Sequence, residues 1–425
     1  MISENSIAKF ARKKNAQIEV FSETSSSLVL VSRKGDLKGK SFSKTRGYAV
    51  RIIKDKRMGF ASFESENEFE SALDRAETLS KMQEQSGYFF PSGKSRKSER
   101  FFDKNVESAS EKECAEKISG MDKTAKEKKA NPMAGFISLS VSEEELINSE
   151  GLKTVQKFSE CYAGSHCAFG NSEAEESDAC SFLNDLKTKE LAKKSAETAR
   201  EKENAKEIPS GKYEIILEPK AVRMLFGLFF PFNFSGESLR RKLTKLKPGE
   251  KIADERVSIL DEPLLERGLN SADYDSEGFG MKRKALVENG KVNDFLYDMK
   301  SAVKSKNNEL AGRGFRGSYS SPPTVSSSNI VVKEGNVGDA ISECKKGINI
   351  EDFLTSGAND VTGDFAFPLF SAFLVKNGEK KHAVKNAVFR GNFFEALRSA
   401  RFEKKSIRVG SVVSPKMVFN ARIVA

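Results

Sequence analysis

Carboxylates crowd the stretch LDEPLLERGLNSADYDSEG, among them Asp261, Glu262, Asp273, Asp275 and Glu277. Paired carboxylates can move a proton to and from a substrate, or hold a hard cation. These lack the D-x-[DN]-x-[DN]-G spacing of a calcium loop, and turn residues surround them. The stretch therefore reads first as turn and loop structure, with Asp275, Glu277 and Gly278 as the part placed to touch a partner or substrate. Arg313 and Arg316 in AGRGFRGSYSSPP could grip a peptide carboxylate or backbone carbonyls. Their glycine-rich setting reads first as an ordinary exposed loop and second as a mobile loop beside a cleft. GRGFRG is no phosphate loop, because the GK[ST] ending is missing.

Other chemistries find little to stand on. There are two histidines, His166 and His382, and no G-x-S-x-G elbow, so a serine hydrolase triad is excluded. The cluster CYAGSHC sets Cys161 and Cys167 around His166, without the tight C-x₂₋₄-C pair and second pair of a structural zinc site. The five cysteines are an odd number with no pairing pattern, which suits thiols in a reducing compartment.

The elements that must position these groups follow from composition and period. The chain has 425 residues, 38% hydrophobic and 31% charged, with 32 phenylalanines and no tryptophan. That length predicts two domains, each with its own core. MISENSIAKFARKKN has no apolar stretch of the kind a secretory signal needs, and no run reaches the ~18 apolar residues of a membrane span. A cytoplasmic protein is expected. The net charge is +10. Much of it is interleaved Lys and Glu on solvated helix faces, but LRRKLTKLKPGEK (239–251) is a denser basic patch. It carries no aromatic-studded or zinc-finger signature, so a basic surface is favoured over nucleic-acid binding.

Residues 1–15 read as a helix, and the segments from QIEVFSE to GFASF as an antiparallel meander. Phe69, Leu73, Ala76 and Leu79 fall on one face of a helix. A helix is expected from about Val106 to Lys129, another over Asp185–Lys206, and a boundary at IPSG. The expected class is α+β: an N-terminal antiparallel sheet with helices over 1–208, then a β-dominated domain with few helices over 209–425.

The most apolar run, AVRMLFGLFFPFNFSGES, opens that second domain. Val222, Leu225, Phe226, Phe229 and Phe230 share one helical face, and Met224 and Leu228 widen it, so the helix should be buried. Pro219 suits its first turn, and Pro231 predicts its end at Phe230.

Four stretches resemble the TldD/PmbA family in order along the chain: GYAVRIIKDKRMGFASF (47–63), INSEGLKTVQKFSECYAG (147–164), VSILDEPLLERGLNSADYDSEGFGMKRKALVENGKVNDFLYDMKSA (257–302) and GNFFEALRSA (391–400). The resemblance implies a two-domain fold and membership of a peptidase system. One subunit type of that family, TldD, carries a zinc-binding HExxxH on the helix after the first strand of the second domain, with a later cysteine as a further ligand. Counted back from GEKIADERVSILDE, those positions fall near Leu225, Phe226 and Phe230, none able to bind zinc, and no cysteine follows Cys344.

The resemblance thus implies the other subunit type, PmbA (TldE), with no metal in this chain and zinc in a TldD-like partner. The expected assembly is a heterodimer that hydrolyses peptides or unfolded proteins in the cytosol, a system associated with maturation of ribosomally made peptides. Two alternatives stay open. One is a peptidase active by itself through His166, Cys161, Cys167 and His382. The other is a nucleic-acid or gyrase-linked binding protein working through the basic patch at 240–251.

Overall fold

The computed structural model describes residues 2–425. Helix α1 (Glu4–Lys14) starts at a capping box between Ser3 and Ser6 and leads into three long antiparallel strands, β1 (Gln17–Arg33), β2 (Asp36–Lys54) and β3 (Arg57–Phe63). Helix α2 (Phe69–Ser80) returns across them and buries Phe69, Leu73 and Ala76 of the expected face, while Leu79 in its last turn is exposed. A short strand β4 (Arg96–Ser98), the single turn α3 (Lys104–Glu107) and helix α4 (Glu111–Glu127) follow. The one helix expected over 106–129 is therefore two. Ser110 and Glu113 form a capping box that restarts the chain after Ser108, because satisfying two free N–H groups at a new N-terminus outweighs continuing the turn.

Strands β5 (Asn131–Asn148), β6 (Lys153–Phe169) and β7 (Ser172–Cys180) complete a sheet of order β3-β2-β1-β5-β6, with β7 antiparallel and β4 parallel on β6. The expected antiparallel meander is present over residues 17–63, but QIEVFSE and SLVLVSR are one continuous strand, β1, rather than two. Leu30, Ile137, Leu139 and Cys161 face α4 and are buried. The opposite face carries Ser25, Ser27, Ser138, Ser140, Ser142 and Glu144, all half-buried. Helix α5 (Thr188–Lys202) closes this half.

Strand β8 (Gly211–Leu217) opens the second half. It pairs parallel with Lys346–Phe353, which pairs with Asp364–Lys376, then Val388–Asn392, then Met417–Val424, and back to β8. The ladder closes on itself, so these five strands form a small barrel without free edges. Its interior is aromatic: Phe353, Phe365, Phe367, Phe389 and Phe419 stack at centroid distances from 4.7 to 6.4 Å. A second sheet, order Lys291–Val292, Lys284–Glu288, Ile259–Asp261, Ile330–Val332, Val412–Ser414, Ile407–Val409, packs beside it.

Helix α6 (Pro219–Asn233) follows β8, and its Val222, Leu225, Phe226, Phe229 and Phe230 are at most 1% exposed in the same core. Phe226 stacks on Phe230 at 4.5 Å, Phe230 on Phe234 at 4.7 Å, and Phe229 on Phe393 at 4.8 Å. The helix does not stop at Phe230; it runs through Pro231 to Asn233. The N–H that Pro231 lacks would have bonded to Gly227, which lies on the exposed side, so the loss falls where water can replace it. Phe234 N–H to Phe230 O at 2.9 Å and Asn233 Nδ2 to Phe229 O at 3.0 Å hold the last turn. No helix of the described residues is long and apolar enough to cross a membrane.

Candidate functional site: a groove above buried charges

The two halves meet at a chain of charges. Arg51 lies opposite Glu19 in the β1–β2 ladder and grips it with two hydrogen bonds, Nε to Oε1 at 2.7 Å and Nη2 to Oε2 at 2.8 Å. Its remaining nitrogen, Nη1, donates to Glu277 Oε1 at 2.5 Å. Glu277 Oε2 also accepts from the Met299 N–H at 2.6 Å. Arg316 reaches across from the second half, giving Nη2 to Glu19 Oε1 at 3.3 Å and Nη1 to Ser321 O at 3.0 Å. Its guanidinium stacks 4.6 Å over Phe21. All four charged side chains are at most 2% exposed.

Asp275 and Glu277 lie in a turn, as expected, but a buried one, and the expectation of an ordinary exposed loop at Arg313 and Arg316 is corrected, since both side chains are at most 2% exposed. Asp275 Oδ1 accepts from the N–H groups of Glu277 at 3.1 Å and Phe279 at 2.9 Å, and Oδ2 from that of Gly314 at 2.8 Å. Burial and the charge of Glu277 push its pKa up, while those three donors pull it back. Arg313 donates Nε to Asp261 at 2.5 Å and pins the loop to the adjoining strand. A carboxylate or guanidinium survives burial only where partners meet it, and here each finds them within the chain. Gly278, with φ +83°, backs onto Leu152 of the first half, where a Cβ would come within 2.6 Å. Glu277 and Gly278 thus join the two halves, Asp275 and Arg313 brace the loop within the second half, and of the five Arg316 lines the groove over the β1–β5 sheet.

That space is a groove of about 450 Å³. Its floor is the serine-rich face of β1 and β5, with Glu23, Ser25, Ser142 and Glu144, and Arg316 closes one side. Its wall is the loop around Tyr274, which lies against β6 through paired hydrogen bonds to the Gln156 amide, at 3.0 and 3.1 Å. Glu23 and Glu144 stand directly opposite each other in the β1–β5 ladder. Enclosure and the charge of Glu23 push Glu144 up to about 7, against the pull of Arg316. Burial and the nearby Arg51 bring Arg316 down to about 10. Of these groove and network residues, Glu19, Glu23, Arg51 and Glu144 were not expected from the sequence. The signal was the alternation SLSVSEEE, which sets a polar face on a strand whose other face is core.

The remaining residues weighed for chemistry do not converge. Cys161 and Cys167 are fully buried on β6, and His166 pairs with Glu173 at 3.1 Å. His382 sits in a barrel hairpin with Nδ1 3.0 Å from Ala383 O. Among the described residues no three of His, Cys, Asp and Glu are grouped to hold a metal. Leu225, Phe226 and Phe230 offer only carbon, at most 1% exposed, within stacked rings. These positions do not fit zinc. In the basic patch, Arg240 is paired with Glu237 at 2.7 Å, and Lys245 Nζ lies 6.0 Å from the Phe394 ring centroid.

Residues 210–425 match the PmbA/TldA metallopeptidase C-terminal domain, and residues 18–80 match PmbA/TldA metallopeptidase domain 1. An uncharacterized protein of Methanocaldococcus jannaschii is 28% identical over 398 residues, 92% of this chain and 93% of its own length. Metalloprotease PmbA of Escherichia coli O157:H7 is 27% identical over 191 residues, 43% of this chain and 40% of that relative. The crystal structure of TldE from Thermococcus kodakarensis superposes with a TM-score of 0.89 at 25% identity, covering 99% of each chain. With the matched domains spanning both halves, and the fold shared end to end, this chain belongs to the TldD/PmbA family of metallopeptidases.

Proposed function

We propose that this chain is the non-catalytic, PmbA/TldE-like subunit of a TldD/TldE-type zinc metalloprotease complex in the cytosol. Its two units, 1–208 and 209–425, complete the substrate chamber of a heterodimer, and the TldD-like partner supplies the zinc and the hydrolytic chemistry. The substrate is a peptide or an unfolded protein segment.

The single observation that carries this reading is α6. The helix on which the resemblance locates the zinc motif is occupied by Leu225, Phe226 and Phe230, packed ring on ring. Burying each such side chain contributes roughly 1.5–3 kcal/mol, so the helix is stable as core and has no use for an ion. The likeness to a TldE structure supports the same choice of subunit. What this chain adds is shape: an open polar groove against a rigid long-stranded sheet.

Native mass spectrometry of the tagged chain isolated from its own cells tests this. The expected mass is that of a heterodimer with about one zinc per complex, the zinc leaving with the partner. A zinc-bearing assembly of this chain alone, cutting unfolded protein, would overturn the reading.

A further inference from the structure

We infer that the groove between Glu23, Glu144 and Arg316 binds the free amino terminus of an extended peptide. The ammonium lies between the two carboxylates, and the first carbonyl oxygen accepts from Arg316 Nε. This rests on the subunit reading and adds to it which end of a peptide this chain holds.

Arg316 supplies the first observation. Two of its nitrogens are engaged, but Nε is buried and has no hydrogen-bond partner. A buried guanidinium N–H left unmet is costly, and Arg316 lines the groove, so a ligand acceptor there would remove the cost. That acceptor is a neutral carbonyl rather than a carboxylate, since Glu23, Glu144 and Glu160 already line the same space.

The carboxylates supply the second. Glu23 and Glu144 face each other across one rung of the sheet, where like charges repel. Glu23 Oε2 accepts from the Tyr319 N–H at 2.9 Å, and neither residue makes an ion pair among the described residues. Arg316 faces them, but its charge is shared with buried Glu19. A cation entering between them relieves the repulsion and keeps both ionised.

An amine and an acceptor must therefore come from one ligand, a few atoms apart. An α-amino group with its own residue's carbonyl has that spacing, whereas a lysine ammonium sits a whole side chain from the backbone. Along the floor, Ser25, Ser140 and Ser142 offer uncharged hydroxyls to the residues that follow.

The test uses the full-length chain and dye-labelled, lysine-free, unstructured ten-residue peptides, read by fluorescence anisotropy at pH 7.5. Binding should weaken by about tenfold or more when the amino terminus is acetylated, the size expected for one charge-assisted hydrogen bond. In Glu144→Gln, an isosteric change whose fold is checked by circular dichroism, that acetylation penalty should shrink to within about twofold. Equal binding of free and acetylated peptides, no binding of either, or a penalty unchanged in E144Q each overturns the inference. An acetylated peptide with one internal lysine that binds as well as the free-amine peptide would reassign the ammonium to a side chain and also overturn it. None of these outcomes touches the subunit reading, which is read from mass.

Discussion

Arg51 and Glu277 are 226 residues apart in sequence and 2.5 Å apart in space. One guanidinium thereby ties β2 of the first half to the loop that walls the groove in the second, with Glu19 held on its other edge. Because the site is dry, its worth shows on breaking it rather than on forming it. Arg51→Met leaves Glu19 and Glu277 as buried charges without their main partner and should destabilise the chain by about 3–5 kcal/mol. Urea denaturation followed by circular dichroism reads this directly. A cost within the ~0.5 kcal/mol of an ordinary surface change would mean that the two halves are joined by something else.

Gly47 of β2 lies under the ring of Tyr319, where a Cβ would come within 2.4 Å of the aromatic carbons. The contact sets the loop of residues 315–321 down on the sheet, and Tyr319 N–H then reaches Glu23. Gly47→Ala should lift the ring and leave the strand intact, since alanine is tolerated in extended backbone. The expected readout is faster hydrogen exchange at residues 316–321 with unchanged protection in β1 and β5. Uniformly faster exchange throughout the sheet would instead mean that Gly47 matters to the strand itself.

The phenylalanine helix makes a stronger demand. Phe226→Ala should cost about 3–5 kcal/mol, the usual toll of an aromatic cavity in a core. The triple change Leu225→His, Phe226→Glu, Phe230→His writes the family's metal motif back at these positions. It should fail to fold or fold without zinc, because a carboxylate and two imidazoles would be buried among rings with no space for the ion. Limited proteolysis and elemental analysis of the purified variant decide it. A folded variant holding one zinc would show that this core is a metal site in all but its ligands.

The fold was legible wherever one face of an element is core. The meander, the α2 face and the burial of α6 follow from period, and Asn289–Gly290 and Asn377–Gly378, all four with positive φ, mark two hairpins plainly. Pro231 misled because its missing bond falls on the exposed side of a helix fixed by its other face. The charge network misled more. Asp275, Glu277 and Arg316 sit among glycines and serines, which locally read as open loop. The burial of Glu277 and Arg316 depends on Arg51 and Glu19, supplied from more than 220 residues away, and no local pattern carries that pairing. Barrel closure is of the same kind, since it rests on Lys346–Phe353 pairing with a strand at each side.

Glu144 provides the last test, because a group suited to meet a ligand is a burden without one. Its neighbours are Glu23 across the ladder, Arg316 from the second half and the Ser276 hydroxyl on the loop. Enclosure and the charge of Glu23 outweigh Arg316 and the Ser276 hydroxyl, so its folded pKa, about 7, lies above the ordinary value of 4.5. An acid raised on folding holds its proton longer in the native than in the unfolded chain. Between those two values stability must fall as pH rises, and above about 7 the loss is complete. Glu144→Gln cannot ionise and escapes it. Its melting temperature should match that of the parent near pH 4.5 and exceed it at pH 8 by about 1 °C for each kcal/mol gained, given a melting entropy of about 0.9 kcal/mol/K for a chain of this size. Asp275 and Asp298, also raised, are common to both proteins and drop out of the difference. Thermal melts of the pair at half-unit steps check it. A gap that stays constant from pH 4.5 to 8.5 would remove Glu144 as a titrating group, whereas a gap that opens between pH 4.5 and 7 and then levels off marks a carboxylate kept at a cost to the empty protein, as a binding residue would be.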